Sequence, residues 1–300
     1  MSSVDAPLRR APRPQAAMLD AATLLAGVAA IVAGVLVHRD LALDRTLFLA
    51  VNGLGPAAPA LWSGLSVAGL GLSAWILLTA LAPDRPQRAA QFLWLLVVGG
   101  LFISAVKHRL RTPRPLGLLG DGHLAVIGDA LRIQSMPSGH SATAFAVLAL
   151  LVAERRRLDE HPAVGGLASS DLGLAAAALY ALGVALSRSA VGAHWPGDLL
   201  VGAGLGLVFG AVAPHAWPVA ALTRMLETTA GRRAWAAGLV VCAASIGATP
   251  TLLAAAGLQG THFAHQVATG YPLAEPVQLA LAALALVGAW RWWRAPRGVA

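Results

Sequence analysis

Eight stretches of this chain are apolar over roughly the length that a lipid bilayer demands, and this restricts the folds open to it. A spanning helix needs ~20 residues with few charges, and such runs lie near 20–37, 61–82, 89–106, 139–153, 171–187, 198–217, 234–256 and 273–293. Two of them, 139–153 and 171–187, are short, so polar groups at their ends are expected slightly below the headgroup plane. Glycine and proline inside the other runs are compatible with membrane helices, whose neighbours re-satisfy the backbone. The sequence therefore predicts an all-α, polytopic membrane helix bundle of about eight transmembrane helices. A chain that is 57% hydrophobic and only 12% charged is too apolar for an ordinary soluble domain.

The net charge of +8 does not point to nucleic acid, because the basic residues sit in short clusters between apolar runs and not along one face. They read instead as orientation signals. Alternating the eight runs puts fourteen Lys and Arg on one side (9, 10, 13, 85, 88, 155–157, 224, 232, 233, 291, 294 and 297) and eight on the other (39, 45, 107, 109, 111, 114, 132 and 188). The positive-inside rule then places both termini in the cytoplasm. The N-terminal run reads as a retained anchor, longer than a signal-peptide core. Residues 38–60 are too mixed to span and suit an interfacial helix. The lone Cys242 offers neither a disulfide nor a cysteine metal site.

Six of the eight cations on the sparse side fall within two loops, and three blocks stand out there: "KHRLRTPRP" (107–115), "PSGH" (137–140) and "SRSAVGAHWPGD" (187–198). Charge inside a bilayer is costly, so cations gathered at helix ends facing one cavity suggest chemistry, with snorkelling as the plain alternative. In the first block, Pro113 and Pro115 keep the chain extended, so Lys107 and Arg114 can close around one anion. In the second, Ser138 is a candidate N-cap and Gly139 lets an anion approach the first-turn amides, with His140 beside them. A cap with a snorkelling histidine reads equally well from that tetrapeptide alone. In the third, His194 and Asp198 lie one helical turn apart. The carboxylate can fix the imidazole tautomer and leave the other ring nitrogen free to attack. Lys107, Arg114 and Arg188 together suit a phosphate carrying about 1.5 to 2 negative charges.

Taken together, Lys107-x6-Arg114-Pro115, Pro137-Ser138-Gly139-His140 and Ser187-Arg188-x5-His194-x3-Asp198 resemble the three-part signature of the type 2 phosphatidate phosphatase superfamily, which also holds bacterial acid phosphatases and vanadium haloperoxidases. The resemblance implies a mechanism without metal or other cofactor. His194 would attack phosphorus to form a phosphohistidine, Asp198 would hold it, and His140 would protonate the leaving oxygen and later activate water. Lys107, Arg114, Ser138, Gly139 and Arg188 would bind the phosphate. Membrane members have six spanning helices, so the resemblance implies a cytoplasmic tail (1–19), a phosphatase core (20–218) and a two-helix extension of unknown role (219–300).

A lipid phosphate or diphosphate is the expected substrate, with undecaprenyl diphosphate, phosphatidate and phosphatidylglycerol phosphate as candidates. The expected setting is a bacterial inner membrane with the site on the periplasmic or exterior face. A phosphotransferase using the same histidine and a silent membrane scaffold or lipid carrier are the rivals; a haloperoxidase is disfavoured, since those members are soluble. His262 and His265 have a metal-compatible spacing but no third ligand. Trp290, Trp292 and Trp293 are expected in an interfacial belt, as is Trp195. The loop 116–135 reads as a lid, a selector or a mere connection.

Overall fold

The computed structural model describes residues 14–80, 82–160, 170–257 and 272–295. The described residues form helices and no strand: α1 (Pro14–Arg39), α2 (Leu41–Asn52), α3 (Pro59–Ala68), α4 (Gly71–Thr79), α5 (Pro86–Trp94), α6 (Gly100–Leu110), α7 (Pro115–Leu119), α8 (Gly139–Glu160), α9 (Asp171–Ala190), α10 (Pro196–Val212), α11 (Trp217–Glu227), α12 (Thr229–Ile246), α13 (Pro250–Ala255) and α14 (Glu275–Arg294). The architecture is an all-α polytopic bundle, as the apolar runs predict. Among the described residues, four stretches are long and apolar enough to cross a membrane, Ala21–Arg39, Pro86–Leu119, Asp171–Ala190 and Pro196–His215, and α3 with α4 form a bent fifth candidate.

Two expected spans are not continuous helices. The run 61–82 breaks at Gly69–Leu70, where α3 and α4 meet at 72°. The run 234–256 stops at Ile246; Gly247 follows, and Thr249 caps a new short helix by accepting the Leu252 amide at 3.3 Å. Both breaks use residues that leave a helix at low cost, glycine and the Thr-Pro pair. Residues 41–52 do form a separate helix, capped by Asp40, whose side chain accepts the Leu43 amide at 3.0 Å.

The helices have two distinct poles. At one, the ends of α1, α6 and α9 meet the starts of α8 and α10, and this pole carries all three motif blocks. At the other, Glu154 accepts from Arg85 at 2.6 Å and from Arg88 at 2.6 Å, while Arg156 donates to Thr23 at 2.8 Å. α10 lies at the centre of the motif pole and packs through glycine on two faces. A Cβ on Gly34 of α1 would fall 2.7 Å from the Val201 amide, and one on Gly197 would fall 2.8 Å from the Gly34 carbonyl. On the other face, Gly202 and Gly206 press against the carbonyls of Ser138 and Ala142 on the α8 side. Small residues allow such backbone contact, which replaces the hydrophobic drive that lipid cannot supply.

The tryptophans depart from the expected belt. Trp195 is buried; it packs against Phe48 at 5.1 Å between centroids and donates its indole N–H to the Pro113 carbonyl at 3.0 Å. Trp292 is buried as well and donates to the Thr79 carbonyl at 2.9 Å. Only Trp290 and Trp293 of the C-terminal trio are exposed, each under an arginine, Arg294 and Arg233 respectively. An indole prefers an interface only while its N–H has no internal acceptor. His262 and His265 lie outside the described residues.

Candidate active site

His194 sits in the short link between α9 and α10, and its fold is set by main-chain bonds. The Arg188 carbonyl at the end of α9 accepts the amides of Ala193 at 2.8 Å and His194 at 3.1 Å, and Ser189 Oγ donates to the His194 carbonyl at 2.9 Å. Gly192 turns the chain with φ +82° where the Ala125 carbonyl leaves no room for a Cβ. Pro196 then opens α10 at a position where a missing N–H costs nothing.

Asp198 closes the first turn of α10. Its Oδ2 accepts the Trp195 amide at 3.0 Å and the Ser135 hydroxyl, and lies 3.4 Å from His194 Nδ1. The other ring nitrogen, Nε2, is 3.2 Å from Arg114 Nη1, which also donates to the Ala193 carbonyl at 2.8 Å. A guanidinium is a donor only, so Nε2 carries the lone pair and Nδ1 the proton. His194 is buried, and that burial, followed by the charges of Arg114, Lys107 and Arg188 and the neighbouring His140, holds its imidazole well below the usual histidine range. It is a neutral ring with its lone pair directed at the cations.

The cations are held by a loop of carbonyls. Arg114 Nε donates to Ile133 at 2.8 Å, and Lys107 Nζ donates to Gln134 at 2.9 Å and Ser135 at 3.2 Å. Gln134 bends this loop with φ +59°, an unusual conformation for a non-glycine residue, and so turns successive carbonyls toward the two side chains. Thr112 ties the same loop back, accepting the Ser135 amide at 3.0 Å. The loop 116–135 is further strapped through Asn52, which donates to the Ala125 carbonyl at 2.8 Å and accepts the Ala125 amide at 2.8 Å.

α8 begins against this pocket. Ser138 is fully buried, donates its amide to the Asp198 carbonyl at 3.0 Å, and turns its hydroxyl to Ser141 at 3.1 Å. A Cβ on Gly139 would meet only Ile103, at 4.0 Å, so the side of the turn where an anion would lie is unfilled by protein. His140 lies in the field of Arg188, Lys107 and Arg114, and its buried Nε2 makes no hydrogen bond among the described residues. It also lines a cavity of about 270 Å³ whose wall, Thr143 apart, is otherwise apolar, with Leu70, Phe92, Leu95, Ile103 and Phe209 among its residues. The bend between α3 and α4 supplies Gly69 and Gly71 to that wall, and the π-helical turn Leu95–Gly99 that joins α5 to α6 supplies Leu95, Leu96 and Gly99.

All eight residues expected at the site thus lie at one pole, on the elements described above. The side chains of Lys107, Arg114, His140, His194 and Asp198 converge, Arg188 is buried at the end of α9, and Gly139 presents open backbone. Ser138 caps the α8 turn as its place before Gly139 suggests, its hydroxyl accepting the Ser141 amide at 3.4 Å. Sequence reasoning missed Ser135, the Trp195 amide, and two residues from the first helices, His38 and Asp44, which stand beside Asp198. Among the described residues, no group of three or more His, Cys, Asp or Glu is arranged to hold a metal ion.

Fold and site together define a membrane-type helical bundle with an anion-attracting pocket around a neutral histidine and its carboxylate. Residues 88–222 match the PAP2 superfamily, which supports membership of the type 2 phosphatidate phosphatase superfamily. The match supports a phosphatase or related phosphoesterase activity. No curated protein and no solved structure matches the chain.

Proposed function

We propose that the protein is a membrane phosphatase that hydrolyses a lipid phosphate or diphosphate through a phosphohistidine on His194. The observation that carries this reading is the position of His140, between the cation cluster and the apolar cavity. An ester oxygen joins a phosphate to its organic group, so the residue that protonates it must stand where an anion site meets the seat of that group. Here the far side of that residue is mainly apolar, which favours a hydrocarbon-bearing leaving group.

In this mechanism the phosphate enters the cluster of Lys107, Arg114 and Arg188 and faces the first-turn amides of α8. Arg114 exchanges its bond with His194 Nε2 for a phosphate oxygen, which frees the lone pair. Nε2 attacks phosphorus while the bond to the leaving oxygen breaks, and His140, which takes up a proton as the phosphate's negative charge enters the cluster, gives that proton to the leaving oxygen. Asp198 stabilises the positive charge that develops on the ring through Nδ1–H. Water, deprotonated by His140, then attacks the phosphohistidine, releasing inorganic phosphate and restoring both histidines. The more basic pole, with Arg85, Arg88, Arg155 and Arg156, would face the cytoplasm and the site the periplasm or exterior.

The experiment is phosphate release by detergent-purified protein from a panel of lipid phosphates and diphosphates with excess chelator, comparing wild type with His194→Ala. Release that survives the chelator and falls by about 10⁴-fold or more in the variant is expected, as when a covalent nucleophile is deleted. Well-folded wild type that releases no inorganic phosphate but phosphorylates an added acceptor alcohol would make it a phosphotransferase.

A further inference from the structure

Asp198 has two carboxylate oxygens, and the motif residues account for one. Oδ2 takes Ser135, the Trp195 amide and His194 Nδ1. Oδ1 is buried without a hydrogen bond among the described residues, and 4.0 Å away stands Nδ1 of His38, in the last turn of α1. The same nitrogen lies 3.1 Å from Asp44 Oδ2. Asp44 is itself buried in the first turn of α2, and its Oδ1 accepts the amide of Gly197 at 2.9 Å, one residue before Asp198. Two buried carboxylates therefore flank the start of α10, and His38, a quarter exposed, bridges them.

The backbone is arranged to admit this bridge. A Cβ at Gly197 would strike the Cβ of His38 at 2.8 Å and its amide at 3.0 Å, so glycine is what lets α1 bring the imidazole to Asp198. Two carboxylates this close, both out of water, repel each other and are costly to keep ionised unless a cation lies between them. Only an ionised Asp198 can both hold the Nδ1 proton and offset the charge that His194 acquires on phosphorylation.

We propose that His38 and Asp44 are positioning residues for the phosphoryl-transfer histidine: an imidazolium at His38, anchored by Asp44, keeps Asp198 charged and aimed at His194. This rests on the reading of His194 as nucleophile. Both residues lie outside the matched segment 88–222, so the device belongs to the first two helices of this chain.

The test uses the full chain in detergent, with the best substrate of the panel, and compares His38→Ala, His38→Lys, His38→Gln, Asp44→Asn and His194→Ala. His38→Ala is expected to lower kcat by about 10- to 100-fold, the loss seen when an outer-shell partner is removed. kcat/KM should fall by the same factor, because the interaction is made in the transition state. His38→Lys should recover most of that loss and His38→Gln should not, since glutamine keeps a donor for Asp44 but no charge. Asp44→Asn should fall between wild type and His38→Ala. A purely structural histidine would give the opposite order, with glutamine rescuing at least as well as lysine, and that result overturns the proposal. So does wild-type kcat in His38→Ala while His194→Ala is inactive, an outcome that leaves the phosphohistidine reading standing. Activity that persists in His194→Ala would instead remove the reading on which the proposal rests. Should His38→Ala not fold, the lysine and glutamine variants decide alone, equal kcat counting against it.

Discussion

The centre of the chain and its C-terminal helices are packed by opposite means. Around α10, glycine brings main chain onto main chain: Gly197 and Gly204 meet α1, while Gly202, Gly206 and Gly210 meet the α8 side. Between α12, α14 and α4, large side chains fill the space. Trp235 stacks near Trp75 at 4.9 Å and near Trp292 at 5.6 Å between centroids, with Leu239, Ile246 and Leu281 buried around them. The C-terminal packing has close glycines too, Gly288 against Ala80 among them, but its interior is mainly aromatic and aliphatic. The difference bears on what each region positions. A rotamer can relax by tenths of an ångström, whereas a backbone seated on a backbone has almost no soft coordinate. The Ser138 carbonyl rests against Gly202 and the Ser138 amide bonds the Asp198 carbonyl at 3.0 Å, so the anion-facing turn and the carboxylate are fixed to each other by main-chain atoms.

Of the substitutions that test this contrast in packing, those adding atoms at α10 have the largest effect on turnover. Gly202→Leu or Gly206→Leu drives a side chain into a carbonyl that cannot step aside, beyond the roughly 1–3 kcal/mol typical of overpacking. We expect little folded protein by size exclusion, and phosphate release from whatever folds reduced at least about 100-fold, as misplacement by an ångström can do. A fully active Gly206→Leu would break the comparison. At the other end, Trp292→Ala should cost about 3–5 kcal/mol of stability, as large aromatic truncations do. Its thermal unfolding should shift markedly, while kcat and KM of the folded fraction at low temperature stay near wild type. A loss of turnover out of proportion to the loss of folded protein would show that the two regions are coupled.

What the sequence disclosed follows the same division. Helical class and the three motif blocks were legible because each is a local pattern, an apolar run or a few residues at a helix end. The eight motif residues do meet at one pole. What stayed hidden depends on partners far away in sequence: Ser135 meets Asp198 across 63 positions and Asp44 meets Gly197 across 153. Nothing local marks Asp44 as more than a first-turn carboxylate of an interfacial helix. Breaks at Gly69–Leu70 and Gly247–Thr249 were written in breaker residues, yet a membrane helix tolerates such residues when its neighbours re-satisfy the backbone, and the neighbours are not visible in one run. Trp195 and Trp292 were misplaced for a related reason. Each indole found an internal carbonyl, Pro113 or Thr79, that no periodicity reveals.

The finest distinction between the two regions is electrostatic and shows in the pH profile. Burial first, and then Arg114, Lys107 and Arg188, keep His194 neutral below the usual histidine value of about 6.5. Protonating Nε2 removes the attacking lone pair, so kcat/KM must fall as pH drops through the free-enzyme value of His194 and not before. The acid limb of the wild type therefore lies below pH ~6.5 so far as His194 sets it. The substrate's own second ionisation, near pH ~6, falls in the same range, so wild type alone is ambiguous. Comparison with Arg114→Gln resolves it, because the substrate is the same in both. Deleting the cation nearest Nε2 lets the ring take a proton more readily, and the limb moves to higher pH, whatever happens to the plateau. Trp292→Ala should leave the limb where it is. An unmoved limb in Arg114→Gln would mean that the cations do not govern His194, and burial alone would then account for its neutrality.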